Sequence, residues 1–227
     1  MDNWQELAEV LVEEFVAPQG VDDKRILEAM KAVPRHFFVP EQYQEDSYVD
    51  TPISIGEEQT ISQPFIVAKM TDLLALNEGD NVLEIGTGSG YQAALLAEMG
   101  MKVTTIERIE TLAHRARMVF QQLPYDIRSI IGDGREGYPE SAPYQGIIVT
   151  AGAQIIEESW LSQLAAEGRL VLPLASKEGR YCLLVRQKTK SENAGYKDTW
   201  YDYCRFVPLL AGIKSNRQNT SQNEKFS

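Results

Sequence analysis

The stretch "VLEIGTGSGYQ", residues 82–92, decides the fold. It opens as a short apolar run of strand length, Val82 to Ile85. Three glycines at alternate positions follow, Gly86, Gly88 and Gly90. Glycine tolerates backbone angles closed to other residues and lets a ligand come close to the main chain. Beyond Gly90 the apolar spacing becomes helical through residue 99. Strand, glycine turn and helix in this order open a doubly wound α/β sheet, which binds nucleotides at its strand tips. The spacing is G-x-G-x-G, with Tyr91 where the dinucleotide fingerprint has its third glycine. No G-K-[ST] follows, so pyrophosphate and triphosphate ligands both lose ground.

Working outward, strands and helices alternate. "KVTTIE" (102–107) predicts a strand, 110–123 a helix, "IRSIIGDG" (127–134) a strand, and "YQGIIVTAG" (144–152) another. A helix is expected over 157–168, then the strand "GRLVLPL" (168–174). The alternation predicts a mostly parallel sheet with helices on both faces. "RYCLLVRQK" (180–188) and "TWYDYCRFVPLL" (199–210) have no helix between them and are expected to pair antiparallel, completing a seven-stranded sheet that finishes on an antiparallel strand. Upstream, helices are expected over 3–16, 22–33 and 63–76, the last capped by Ser62 with Pro64 in its first turn. Residues 33–56 read as a long irregular connection. The organisation expected is an N-terminal helical extension and substrate-site loop over 1–61, a catalytic domain over 62–210, and a disordered polar tail over 211–227, all within one compact domain.

The chain has 227 residues, 43% hydrophobic and 24% charged, with a net charge of -11. That charge, without a basic cluster, argues against nucleic acid as a partner. No apolar run is long enough for a membrane-spanning helix, and the N-terminus is acidic where a signal peptide is basic. A cytoplasmic protein, monomeric, with no membrane partner, is expected. Cys182 and Cys204 read as buried thiols. The histidines, His36 and His114, belong to no Cys/His cluster, so no metal is expected.

Two acids sharpen the ligand. Glu107 ends the second strand about twenty residues past the glycines, where an acid accepts from both ribose hydroxyls. Asp133, within "GDG" at the next strand tip, is positioned to accept from an exocyclic amine such as adenine N6. An adenosine without a pyrophosphate is implied, and S-adenosyl-L-methionine fits it best. Ser62 alone supports two readings, a helix cap worth about 1 kcal/mol or a site residue.

"RHFFVP" (35–40), "QTISQP" (59–64), the glycine loop, "IER" (106–108), "GDG" (132–134) followed by Gly137, "IIVTA" (147–151) and "RFVPL" (205–209) together resemble the protein-L-isoaspartate O-methyltransferases. The resemblance runs from Arg35 to Leu209. It implies a Rossmann-like class I methyltransferase fold that moves a methyl from S-adenosyl-L-methionine to the α-carboxylate of L-isoaspartyl residues in damaged proteins. It also implies Ser62 as the active-site residue. Cofactor contacts are implied for Ile61, Ser62, Glu84 and the glycines Gly86, Gly88 and Gly90, then for Glu107, Arg108, Asp133 and Gly134. Thr60, Ile61, Ser62, Phe206 and Val207 would frame the isoaspartyl group. A different carboxylate or small-molecule substrate, or a weakly active isoaspartyl-binding module, are the alternatives. Three departures bear on substrate fit. Glu58 stands where the family has a small residue and is expected to narrow the pocket or repel the substrate carboxylate. Gln145 replaces an acid, and "AGAQII" (151–156) replaces a Pro-rich run.

Overall fold

The computed structural model describes residues 3–190 and 195–215. A seven-stranded sheet is built around β3 (Asn81–Ile85), in the order β5-β4-β3-β6-β7-β8-β9. β4 (Lys102–Glu107) and β5 (Ile127–Ile131) lie to one side of β3. β6 (Tyr144–Val149) and β7 (Leu164–Ala175) lie to the other, and all five run parallel. β8 (Tyr181–Lys188) turns back antiparallel on β7, and the final strand β9 (Tyr196–Cys204) is antiparallel to β8. β3 is central because its side chains bury on both faces; Val82, Leu83 and Ile85 are fully inaccessible. The chain leaves β3 toward β4 but returns to its other side at β6. The crevice between those strand ends is where open α/β sheets bind ligands.

Helices cover both faces. α1 (Trp4–Val10), continued by a widened turn over Leu11–Val16, packs with α2 (Lys24–Ala32), α3 (Pro64–Leu74) and α4 (Tyr91–Glu98). Their apolar stripes make one core with α5 (Glu110–Phe120): Ala8, Leu11, Ile26, Met30, Leu74 and Leu95 all bury there. The N-terminal extension therefore shares its core with the sheet. On the opposite face α6 (Glu158–Gln163) buries Trp160 and Leu161 against Leu83, Ile106 and Ile147. Among the described residues no helix is long and apolar enough to cross a membrane.

Two local readings are corrected. The irregular connection runs into a hairpin, β1 (Ile53–Gly56) with β2 (Gln59–Ile61), whose tip is Glu57-Glu58. Both glutamates take left-handed angles, φ 54° and 60°, a conformation that usually selects Gly or Asn. The helix expected over 157–168 stops at Gln163. Leu164 pairs with Tyr144, and Glu167 has φ 63° where the register shifts. "LAAE" is thus a bulged strand start, held by burial of Leu164 against its helical propensity. Residues 211–215 of the expected tail are exposed but hydrogen-bonded to the domain, as described below; 216–227 lie outside the described residues.

Cys182 and Cys204 are free thiols on the paired strands β8 and β9. Burial pushes the Cys204 thiol up to about 12. His36 is structural. Its Nδ1 lies 2.7 Å from the Tyr48 hydroxyl, and its ring packs against Trp4 and Phe37.

Candidate active site

A cavity opens at the C-terminal ends of β3 and β4, walled by the glycine loop. Gly86 has φ 100°, and a Cβ there would lie 2.6 Å from Thr150 Oγ1, which donates to the Gly86 carbonyl. Gly90, φ 92°, starts α4 with no room for a side chain against the Phe120 ring. The alternate glycines thus let the loop turn tightly between β6 and α5.

Two buried carboxylates face this loop. Glu107 Oε2 accepts from Gly88 N at 2.8 Å and Oε1 from Ile109 N at 2.9 Å. A carboxylate has about four acceptor sites, so acceptor capacity remains for hydroxyl donors. Burial still raises its pKa. Glu84 is fully buried. Its Oε2 accepts from Thr105 Oγ1 at 2.6 Å, and Thr105 Oγ1 lies 2.6 Å from Thr87 Oγ1. Its Oε1 has no partner among the described residues. Burial pushes Glu84 up to about 8, with the charge of Glu107 adding to the rise and the Thr105 bond opposing it. An unpartnered buried carboxylate oxygen on a cavity wall is costly unless something else supplies a donor. A cationic ligand with N–H groups fits that demand. Ile61, Ser62, Glu84, Gly86, Gly88, Glu107, Arg108 and Gly134 all line the cavity.

Gly90 and Asp133 do not line it. Asp133 is turned elsewhere: its carboxylate pairs with Arg135 at 2.9 Å and accepts from Gly212 N at 2.7 Å. The Arg135 bond holds its pKa down to about 2. Gly212 belongs to a strap, residues 209–215, that runs from β9 across the strand tips. Lys214 N donates to Arg108 O at 2.8 Å, Arg108 Nε donates to Gly212 O at 2.9 Å, and Lys214 Nζ pairs with Glu57 at 2.7 Å. Leu209 and Leu210 of the strap close the cavity wall.

Ser62 does not cap α3. The cap position is Gln63, whose side chain makes no capping bond. Asp50 supplies the anion instead: Oδ1 accepts from Phe65 N at 2.9 Å and Oδ2 from Gln63 Nε2 at 2.8 Å. A carboxylate at a helix N-terminus satisfies the free N–H groups and the dipole. Ser62 Oγ consequently has no protein partner among the described residues. Its backbone is fixed by Arg35, whose Nη2 donates to Ser62 O at 2.7 Å and whose Nε donates to Ser47 O at 2.9 Å. The Arg35 guanidinium is fully buried, 4.7 Å from the Tyr91 ring centre. Asp50 and Arg35 carried no separate signal in the sequence. Arg35 lay within "RHFFVP", but nothing local connected it to Ser62.

A second, outer groove meets the cavity. Thr60, Ser62, Thr150 and Val207 line both, forming a neck between them. Phe206 lines the groove, and Ile61 lines only the inner cavity. The three departures resolve structurally. Glu58 is exposed at the hairpin tip and lines neither space, so it does not narrow the pocket. Gln145 Oε1 accepts from Asn81 N at the opposite end of the sheet. The 151–156 loop holds the groove wall: Gly152 N donates to Val207 O at 2.7 Å, and Leu209 N donates to Gly152 O at 2.8 Å.

A central β3 followed by a glycine loop, an acid ending β4 and a cavity at the topological switch point define a Rossmann-like class I methyltransferase. The likeness narrows further. A sequence model of the family described as "Protein-L-isoaspartate(D-aspartate) O-methyltransferase (PCMT)" matches residues 6–214. The chain belongs to that family. The "Protein-L-isoaspartate O-methyltransferase" of Trichlorobacter lovleyi is 46% identical over 204 residues, covering 88% of this chain and 91% of the relative. "Protein-L-isoaspartate O-methyltransferase 1" of Syntrophobacter fumaroxidans is 45% identical over 211 residues, covering 92% and 97%. A solved protein-L-isoaspartate O-methyltransferase superposes with a TM-score of 0.81 at 27% identity, over 92% of this chain and 67% of that one. A Plasmodium falciparum structure described as a beta-aspartate methyltransferase complex with S-adenosyl-L-homocysteine shares the fold, with a TM-score of 0.73 at 23% identity over 89% and 98%.

Proposed function

We propose that this chain is a protein-repair methyltransferase. It transfers the methyl of S-adenosyl-L-methionine to the α-carboxylate of L-isoaspartyl residues in damaged proteins. The observation that carries the reading is the free Ser62 hydroxyl at the neck joining the carboxylate-walled cavity to the outer groove. The cofactor supplies a methyl on a positively charged sulfur, activated by that charge. Glu84 Oε1 would hold the cofactor's ammonium, Glu107 would accept from the ribose hydroxyls, and Gly86 and Gly88 would let the main chain approach. Ile61, Arg108 and Gly134 complete that wall. Asp133 acts through the strap that it fastens over the cavity, in place of a direct contact with adenine.

The substrate carboxylate has an unperturbed pKa near ~4 and is ionised at neutral pH, so no base is required. Ser62 Oγ donates to one carboxylate oxygen and leaves the other aimed through the neck. Thr60 and Val207 narrow the neck, Phe206 covers the substrate side, and together they exclude water. Alignment of the reacting atoms is the protein's main contribution. With the cofactor held by Glu84, Glu107 and the glycine loop, the aimed carboxylate oxygen would accept the methyl group that the cofactor supplies. The ester then closes to a succinimide, and hydrolysis of that ring returns some normal aspartate. A monomeric cytoplasmic enzyme is the corresponding setting.

Labelled cofactor with matched isoaspartyl and aspartyl peptides tests this. Methyl should reach only the isoaspartyl peptide. Equal labelling of both, or cofactor binding without transfer, would overturn the reading.

A further inference from the structure

The whole chain carries 33 acidic and 22 basic residues. The outer groove reverses that balance. Two arginines, Arg180 and Arg205, line it, and no Asp or Glu does. The two are not equivalent. Arg180 is already neutralised by Glu178, at 2.6 Å, and its guanidinium carbon lies 3.8 Å from the Tyr203 ring centre. Tyr203 OH also donates to that Glu178. The Arg180 side of the groove therefore carries little net charge. Arg205 is exposed, and among the described residues it has no ion pair, hydrogen bond or ring partner. Neither arginine lines the neck where the reacting carboxylate sits. A guanidinium held away from that carboxylate leaves its nucleophilicity intact and faces the chain on either side of it.

We infer that Arg205 is a specificity-determining residue that selects acidic side chains flanking the isoaspartyl residue of an extended substrate segment. The inference rests on the proposed function for the identity of the reacting residue. The groove is built for such a segment. It is continuous with the neck, and Arg180, Tyr203 and Phe206 line it. Guanidinium–carboxylate bonds are the natural contact for an unpaired arginine there. An exposed pair of this kind changes affinity by on the order of threefold.

The test uses three isoaspartyl peptides that differ only in the neighbours of the isoaspartyl residue: Glu, Gln or Lys. They are assayed near ~0.15 M salt, where the chain's net charge is screened beyond ~8 Å. The Glu-flanked peptide should have the highest kcat/KM, about threefold above the Gln-flanked one, through KM. Arg205→Gln should bring that ratio to about one, and Arg205→Lys should keep most of it. Anisotropy of the same peptides, labelled and bound in the presence of S-adenosyl-L-homocysteine, reads the preference without methyl transfer. If no peptide is methylated, the proposed function fails while anisotropy still decides the groove. Equal binding of the Glu and Gln peptides by the unaltered protein, or a Glu preference that survives in Arg205→Gln, would overturn the inference.

Discussion

Ser62 and Glu84 show how single side chains are left with unused bonding capacity by their neighbours. Ser62 Oγ is free because Asp50 caps α3 in its place. Ser62→Ala should therefore lower kcat while cofactor affinity, by calorimetry, changes less than about tenfold, one hydrogen bond being worth about 1–1.5 kcal/mol. It should fold as well as the unaltered protein, since no cap is lost. A large drop in thermal midpoint would return Ser62 to a structural role. Glu84 predicts a pH dependence. Its pKa is raised from 4.5 to about 8 in the folded chain by burial. Between those values the folded state holds a proton that the unfolded state has released. The stability linked to this proton is complete below pH ~4.5 and is lost as pH rises through ~8, at up to about 1.4 kcal/mol per pH unit. Glu84→Gln should flatten that slope in denaturant titrations run near pH ~5 and ~8.5. An unchanged slope would place the titration elsewhere.

At the scale of elements, the hairpin β1–β2 and the strap 209–215 are clasped by Lys214–Glu57. The Lys214 bond holds the Glu57 carboxyl below its usual range. Glu58 has no such partner role, yet it adopts φ 60° at the tip. Glu58→Gly should raise the thermal midpoint, because a left-handed angle costs a non-glycine residue about 1 kcal/mol. Methyl transfer should be unchanged, since Glu58 lines neither space; a rise in activity would restore the view that it obstructs the pocket. Asp133→Asn weakens the bonds to Gly212 and Arg135 that fasten the strap. It should speed cofactor release in stopped-flow measurements. Equal release rates would show that the strap does not cover the ligand.

At the scale of the molecule, a net charge of -11 repels itself. Raising salt from about 0.01 M to about 0.15 M at pH ~8 should raise the thermal midpoint, and the gain should shrink near the isoelectric point of about 4.8. The alternation of apolar runs and helical spacing made the sheet readable in advance, and the glycine spacing separated this ligand from a dinucleotide. The sequence by itself determined those features because period-two and period-3.6 burial and glycine's backbone freedom are local properties. It also placed Glu107 at a strand tip, where its carboxylate now meets the glycine loop. Tertiary structure alone decided the rest. Asp50 reaches a helix 15 residues further along the chain, Arg35 grips Ser62 across 27, and the strap crosses 79 to reach Asp133. These bonds join segments with no common period, and their strength depends on burial that only the packed chain creates. Ser62 was legible as a cap; its freedom from capping exists only because the folded chain brings Asp50 to the same helix end.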